Sequence, residues 1–379
     1  MKYRTFGSLD WKPSALGFGA MRLPVIDDDH SKINEPEATR MIRYAIDHGV
    51  NYVDTAYVYH KDTCEAFLGR ALQDGYREKV KLATKLPSWL IKSKEDLDTY
   101  FNEHLKRLQT DHIDFYLLHA LREQHWNTLK EYDVLDWAQS LLDEGKISYL
   151  GFSFHDTFDL FKEIVDCHEW TFCQIQYNYM DEEYQAGTKG LHYAAQKGLG
   201  VVIMEPIRGG QLASPPQHIR DIFNTAPQTR SPAEWALQWV WNHPEVSLVL
   251  SGMSTMEQVV ENVASADRSR PNMLTAEELE VISRVRDAYR DACPIPCTDC
   301  RYCQPCPEGV RIPLIIELYN DAKMFNALDE SRRVYKMIKE EQRADRCIEC
   351  GECEEKCPQS IEIRSWLKKA HELLKSEDM

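Results

Sequence analysis

The stretch NYVDTAYVYHKDTCEAFLGRAL (residues 51–72), followed by KVKLATK (79–85) and IDFYLLH (113–119), decides the architecture. Each piece holds a short β-rich run that reaches a polar residue and then gives way to an amphipathic stretch. Strands alternating with helical patterns predict βα units and a parallel sheet, because parallel neighbours need a long crossover. The same unit recurs outward from here. ALGFGAM (15–21) precedes it, and ISYLGFSF (147–154), CQIQYN (173–178), GVVIMEP (200–206) and SLVLSGM (247–253) follow. Helical patterns are expected over 36–48, 94–108, 133–144, 189–197, 232–242 and 256–265. Three intervening turns carry glycine, in DHGVN, DEGKI and QKGLG, where a left-handed residue ends a helix before the next strand. Eight such units predict a closed (β/α)₈ TIM barrel in the α/β class. An open doubly wound sheet is the second choice. It is disfavoured because no GxGxxG loop follows the first strand.

The formal net charge of −16 excludes a nucleic-acid binder, which needs clustered Lys and Arg, and disfavours docking on an anionic membrane. A hydrophobic fraction of 43% suits a chain with a buried core. The N-terminal MKYRTFGSLDW has no apolar run of signal-peptide length, so a cytoplasmic location is expected.

Twelve cysteines in such a chain point to metal or redox work before disulfides. Cys64, Cys167 and Cys173 are scattered and are expected to be inert core thiols. The other nine lie between Cys293 and Cys357, so the chain divides near residue 290 into a barrel (1–290) and a cysteine-rich domain (291–379). A helix over TAEELEVISRVRDAYRD, with Thr275 as N-cap, leads into that domain, and 313–342 is again expected to be helical.

Cys347, Cys350, Cys353 and Cys357 have the spacing C-x2-C-x2-C-x3-C-P of bacterial-type ferredoxins, in which the fourth cysteine serves the other cluster. Cys297, Cys300, Cys303 and Cys306, ending in Pro307, form a first run with a shorter last gap. Two 4Fe–4S clusters are expected with crossed ligands. Cys297, Cys300, Cys303 and Cys357 would hold one, and Cys347, Cys350, Cys353 and Cys306 the other. Cys293 is left over and is open as a substitute ligand in the irregular run. Structural zinc also uses paired CxxC, but has no use for a third evenly spaced cysteine or a Cys-Pro ending.

Three successive strands end in Asp54, Lys85 and His119, with Tyr59 just past the first of these. Barrel active sites sit at the carboxyl ends of strands. Over residues 1–270 the motifs DTAYVY, ATK, LLH, GFS, QIQYN and VVENV resemble the aldo-keto reductases, and these four residues resemble that family's Asp–Tyr–Lys–His tetrad. The resemblance implies that Tyr59 is a general acid for a carbonyl oxygen and that Lys85 lowers its pKa. It implies further that Asp54 holds Lys85, that His119 orients the carbonyl, and that a nicotinamide supplies hydride. Tyr57 ranks second to Tyr59.

On the cofactor side, Ser153 and Gln174 correspond to carboxamide contacts. Arg208, Gly209 and Gly210 correspond to a pyrophosphate loop, and Gly252, Ser254, Gln258, Glu261 and Asn262 to a nucleotide segment. Phe154 and Met204 depart from the family pattern, and Gly252 and Gln258 replace the cations expected of NADP-preferring members. NAD, NADP and FMN therefore remain open. The resemblance implies an iron–sulfur oxidoreductase acting on a small carbonyl or alcohol, with a protein electron donor or acceptor as a partner. A redox-sensing or electron-transfer protein with a barrel scaffold is the alternative.

Overall fold

The computed structural model describes residues 1–375. The chain packs as two compact units, residues 1–209 with 234–275, and residues 210–233 with 276–375. The residue-290 division follows cysteine content, whereas this one follows packing. Among the described residues no helix is long and apolar enough to cross a membrane.

The first unit is built on eight parallel strands: β1 (Leu16–Gly19), β2 (Tyr52–Asp54), β3 (Lys81–Leu86), β4 (Ile113–Leu121), β5 (Ile147–Phe154), β6 (Phe172–Gln176), β7 (Gly200–Met204) and β8 (Val246–Gly252). They pair in sequence order, and β1 closes the barrel by pairing with both β2 and β8. Every expected strand is present within a few residues of its expected bounds. Gly49, Gly145 and Gly198 have φ of 95°, 70° and 81°, the left-handed helix stops that were expected. A two-stranded ribbon, Val25–Ile26 with Asp29–Ile33, occupies the loop after β1 and was not foreseen. The helices Cys64–Ala71, Glu123–Glu131 and Phe158–Asp166 were also not foreseen, being too short for their periodicity to stand out.

Inward side chains fill the barrel. Phe6, Tyr52, Ala83, Phe115, Leu117, Phe172, Val202, Leu248 and Leu250 form one buried cluster. Phe6 comes from the N-terminal segment and meets Phe115 edge-on at 5.2 Å. It approaches β7 so closely that a Cβ on Gly200 would lie 2.4 Å from its ring, which only glycine tolerates. Cys64 and Cys173 are buried as expected. Cys167 is exposed instead, because it follows the end of the helix Phe158–Asp166 and its thiol turns back on the Ile164 carbonyl at 3.1 Å.

The second unit has its own apolar core. Ile295, Val310, Ile312, Ile315, Ile316, Leu367 and Leu374 are buried together, with Cys297, Cys303, Cys306, Cys347 and Cys357 packed against them. The helix after Thr275 spans Ala276–Asp291. The 313–342 region is two helices, Ile312–Met324 and Leu328–Met337, rather than one.

Candidate active site and cysteine cavities

Strand register gathers the four expected residues. Asp54 pairs with Ala83, so Lys85, two residues further along β3, faces the same side, which is the filled interior. Lys85 pairs with Leu117, and His119 lies two residues beyond that. Three polar side chains thus emerge where the apolar filling ends, at the carboxyl face. Tyr59 reaches them from the turn after β2.

Lys85 Nζ donates to Asp54 Oδ1 at 2.7 Å, to the Thr55 carbonyl at 2.6 Å and to the Tyr59 hydroxyl at 3.3 Å. Lys85 and Asp54 are almost fully buried. Burial works against the Lys85 charge, but Asp54 and Tyr59 outweigh it and raise its pKa. Burial also raises the Asp54 carboxyl against the pull of Lys85. For Tyr59 the net direction differs from the expectation. Burial raises the phenol pKa, Lys85 pulls it down, and burial prevails, so Tyr59 holds its proton. His119 stands edge-on to Tyr59 at 6.2 Å. Burial and then Lys85 depress its pKa far below the usual histidine value, so the imidazole is neutral. Its Nδ1 and Asp54 Oδ2 are buried without hydrogen-bond partners among the described residues. Trp89, 38% exposed, walls the site, 5.0 Å from the His119 ring.

Tyr57 is not part of this group. Its hydroxyl donates to Glu103 at 2.8 Å, and burial, then Glu103, push its pKa up to about 12.

Ser153 and Gln174 are paired across β5 and β6 and are buried. The Ser153 hydroxyl accepts from Ala120 N at 2.7 Å, leaving its proton to donate, and Gln174 Oε1 is an orphan acceptor. This donor–acceptor pair suits a primary amide such as a nicotinamide carboxamide. Gly209 and Gly210 have φ of 64° and 103°, a turn that favours glycine. Arg208 is committed to Asp181 at 3.0 Å. Gln258 serves the helix Met256–Arg268 as a cap: its Oε1 accepts from Ser254 N at 2.8 Å while its own N–H reaches Thr255 Oγ1. The Ser254 hydroxyl donates to the Arg22 carbonyl at 2.8 Å. Asn262 is buried on Ser251 at 3.1 Å, and Glu261 beside it is exposed.

Sequence reasoning missed Arg22. Its stem lies 3.2 Å from where a Cβ on Gly252 would sit, and Nη2 lies 3.2 Å from the same position on Gly209. The side chain therefore runs between the two segments expected to hold a dinucleotide. The guanidinium has no hydrogen bond or ion pair among the described residues. Its place just past the first strand marks it as near the carboxyl face, but nothing local in the sequence ties it to Gly209 or Gly252.

In the second unit the two cysteine runs interleave. Cys297, Cys300, Cys303 and Cys357 line one small cavity, with Ile316 and Ile361. Cys306, Cys347, Cys350 and Cys353, together with Cys303, line another. Thiols spread around a hollow suit a polynuclear cluster. Cys293 lines neither cavity, and its thiol donates to the Ile295 carbonyl at 3.3 Å.

A closed parallel barrel with a buried Lys–Asp–Tyr group at its carboxyl face, joined to a cysteine-rich domain, describes an iron–sulfur oxidoreductase. Residues 15–285 match the aldo/keto reductase family and residues 296–362 a 4Fe-4S dicluster domain; the chain belongs to the aldo/keto reductase family. It is 27% identical to the uncharacterized oxidoreductase YrpG of Bacillus subtilis, covering 71% of this chain and 92% of that one. It is 25% identical to L-galactose dehydrogenase of Arabidopsis thaliana, covering 77% and 96%. The holo structure of aldo-keto reductase AKR11C1 from Bacillus halodurans superposes with a TM-score of 0.61 at 29% identity, covering 75% and 96%. The family and the domain together support a nicotinamide cofactor, an iron–sulfur centre and a small-molecule substrate.

Proposed function

We propose that residues 1–290 reduce a carbonyl group, or oxidise the corresponding alcohol, with Tyr59 as proton donor, while residues 291–379 hold two 4Fe–4S clusters. The observation that carries this is Lys85, whose ammonium touches Asp54 and Tyr59 at once. A bound nicotinamide would supply hydride, held at its amide by Ser153 and Gln174 and at its phosphates by Arg22 and the Gly209–Gly210 turn. Tyr59, protonated at neutral pH, donates to the carbonyl oxygen as negative charge develops. Lys85 eases that loss by stabilising the phenolate, and Asp54 keeps Lys85 charged and in place. Neutral His119 donates a second hydrogen bond to the same oxygen. Arg208, Ser254, Gln258, Glu261 and Asn262 shape the nucleotide segment, in which Gly252 and Gln258 themselves carry no charge to select a 2′-phosphate.

The clusters are ligated crosswise, Cys297, Cys300, Cys303 and Cys357 against Cys306, Cys347, Cys350 and Cys353, in accord with the two cavities. They exchange single electrons with a protein partner in a reducing, cytoplasmic compartment, where thiols stay available. Hydride chemistry moves two electrons, so a tail that feeds the barrel calls for a carrier able to do both, and FMN is that alternative. Resolved flavin bands in anaerobically purified protein would decide for it. The test of the main reading is Tyr59→Phe. Turnover of accepted aldehydes or ketones should fall about 10²–10⁴-fold with dinucleotide affinity unchanged. Wild-type turnover would remove Tyr59 from the role.

A further inference from the structure

Six residues beyond Tyr59, on the first turn of the helix Cys64–Ala71, Glu65 is fully buried. A carboxylate out of water persists only where it is paired. Glu65 Oε1 accepts from Thr84 Oγ1 at 2.6 Å and meets His104 Nδ1 at 2.6 Å. Oε2 lies 3.7 Å from Arg107 Nη1. Burial pushes the carboxyl pKa up, but His104, Thr84 and Arg107 together outweigh it and hold it below its usual value.

Arg107 carries the connection onward. It donates to the Tyr57 carbonyl at 3.4 Å and to Glu103 at 2.8 Å, and its guanidinium covers the Tyr57 ring at 4.0 Å. Tyr57 is thereby fixed by both backbone and hydroxyl. The network ties three elements together. Thr84 immediately precedes Lys85, Tyr57 lies two residues before Tyr59, and His104, Glu103 and Arg107 share the helix Glu95–Leu108.

We infer that Glu65 is a positioning residue: with Thr84, His104 and Arg107 it locks the turn bearing Tyr59 to β3 and so sets the Lys85–Tyr59 distance. The inference rests on the proposed role of Tyr59 as proton donor. The contact it controls is long, 3.3 Å, and a cation's pull on a phenol weakens with every added fraction of an ångström. Misplacement of reacting groups by about 1 Å can cost about 10²-fold.

The test uses the full chain and two variants, Glu65→Gln and Thr84→Val, with Tyr59→Phe as the control. Thr84→Val is nearly isosteric and removes one arm of the network. Lys85, Asp54, Cys64 and His119, the groups facing Tyr59, are untouched in both variants. The expected result is a roughly tenfold fall in kcat with unchanged dinucleotide Kd. The pH at which alcohol oxidation titrates should also rise by roughly half a unit, because Lys85 would act on Tyr59 from further away. Wild-type kcat and pH profile in Thr84→Val would overturn the inference. So would a loss of kcat with no shift in the profile, which marks a merely structural contact. If Glu65→Gln does not fold, Thr84→Val alone decides. Activity that survives Tyr59→Phe removes the proton donor itself, and the inference with it. Activity abolished in Tyr59→Phe but normal in Thr84→Val removes only the inference.

Discussion

Replacing Lys85 by methionine keeps the length of the side chain and deletes its charge. Lys85 Nζ is 3.3 Å from the Tyr59 oxygen, and at an effective dielectric of about 20 a unit charge there favours the phenolate by about 5 kcal/mol. Asp54 Oδ1 lies 2.7 Å from the same Nζ, so it is no more than about 6 Å from Tyr59, and at that separation its repulsion cancels about 3 kcal/mol. The net pull of the pair is about 2 kcal/mol, or about thirtyfold. Without Lys85, Asp54 is a lone buried carboxyl that burial already pushes upward, so it takes a proton and its repulsion vanishes as well. Lys85→Met should therefore lower kcat about thirtyfold. Adding Asp54→Asn should cost less than about threefold more, because Asp54 acts through Lys85. Steady-state kinetics in both directions, with dinucleotide binding followed separately, measures this. Additive losses in the double variant would show that Asp54 contributes independently. A Lys85→Met rate within threefold of the original would refute the electrostatic reasoning.

Three further outcomes follow from other parts of the molecule. Arg22→Met removes a charge-assisted contact of about 1.5–3 kcal/mol, so titrations should show dinucleotide Kd rising about 10- to 100-fold with NAD still bound at least as well as NADP; an unchanged Kd would remove Arg22 from the phosphate site. Burial depresses the pKa of both His155 and His243 to about 4, so below about pH 6.5 the unfolded chain binds protons that the folded chain refuses. Stability from these groups is complete above pH 6.5 and is lost toward pH 4, and urea midpoints should fall between pH 7 and pH 5. Cys300→Ala and Cys357→Ala should perturb one and the same cluster in paramagnetic resonance spectra, and Cys306→Ala and Cys350→Ala the other; pairing by run instead would refute the crossed ligation.

The barrel was legible because its signal is repeated. Eight strand runs punctuated by Gly49, Gly145 and Gly198 leave few alternatives, and the face on which Asp54, Lys85 and His119 meet follows from period-two alternation along paired strands. Arg22 was not legible, since its relation to Gly209 and Gly252 depends on a side-chain path no local pattern encodes. Arg208 was chosen for its charge, but Asp181, 27 residues away, takes it up. The net direction of the Tyr59 pKa was missed for the same reason. A sequence shows the neighbouring cation, whereas the depth of burial that outweighs it belongs to the fold. Glu65 carries no signal in the sequence, because Thr84 and His104 reach it only through tertiary packing.

The interleaving of the cysteine runs has a consequence for assembly. Cys357 completes the cavity begun by Cys297, and Cys306 completes the one lined by Cys347, Cys350 and Cys353. Each hollow is closed by the last cysteine of the other run, as two links of a chain close through each other. A nascent chain that has released only its first run has neither hollow finished: the one closed by Cys306 is complete once Cys353 has emerged, and the one begun by Cys297 only once Cys357 has. Shortening the chain before that point would leave the first cavity one thiol short, and half of the domain could not be inherited or lost without the other.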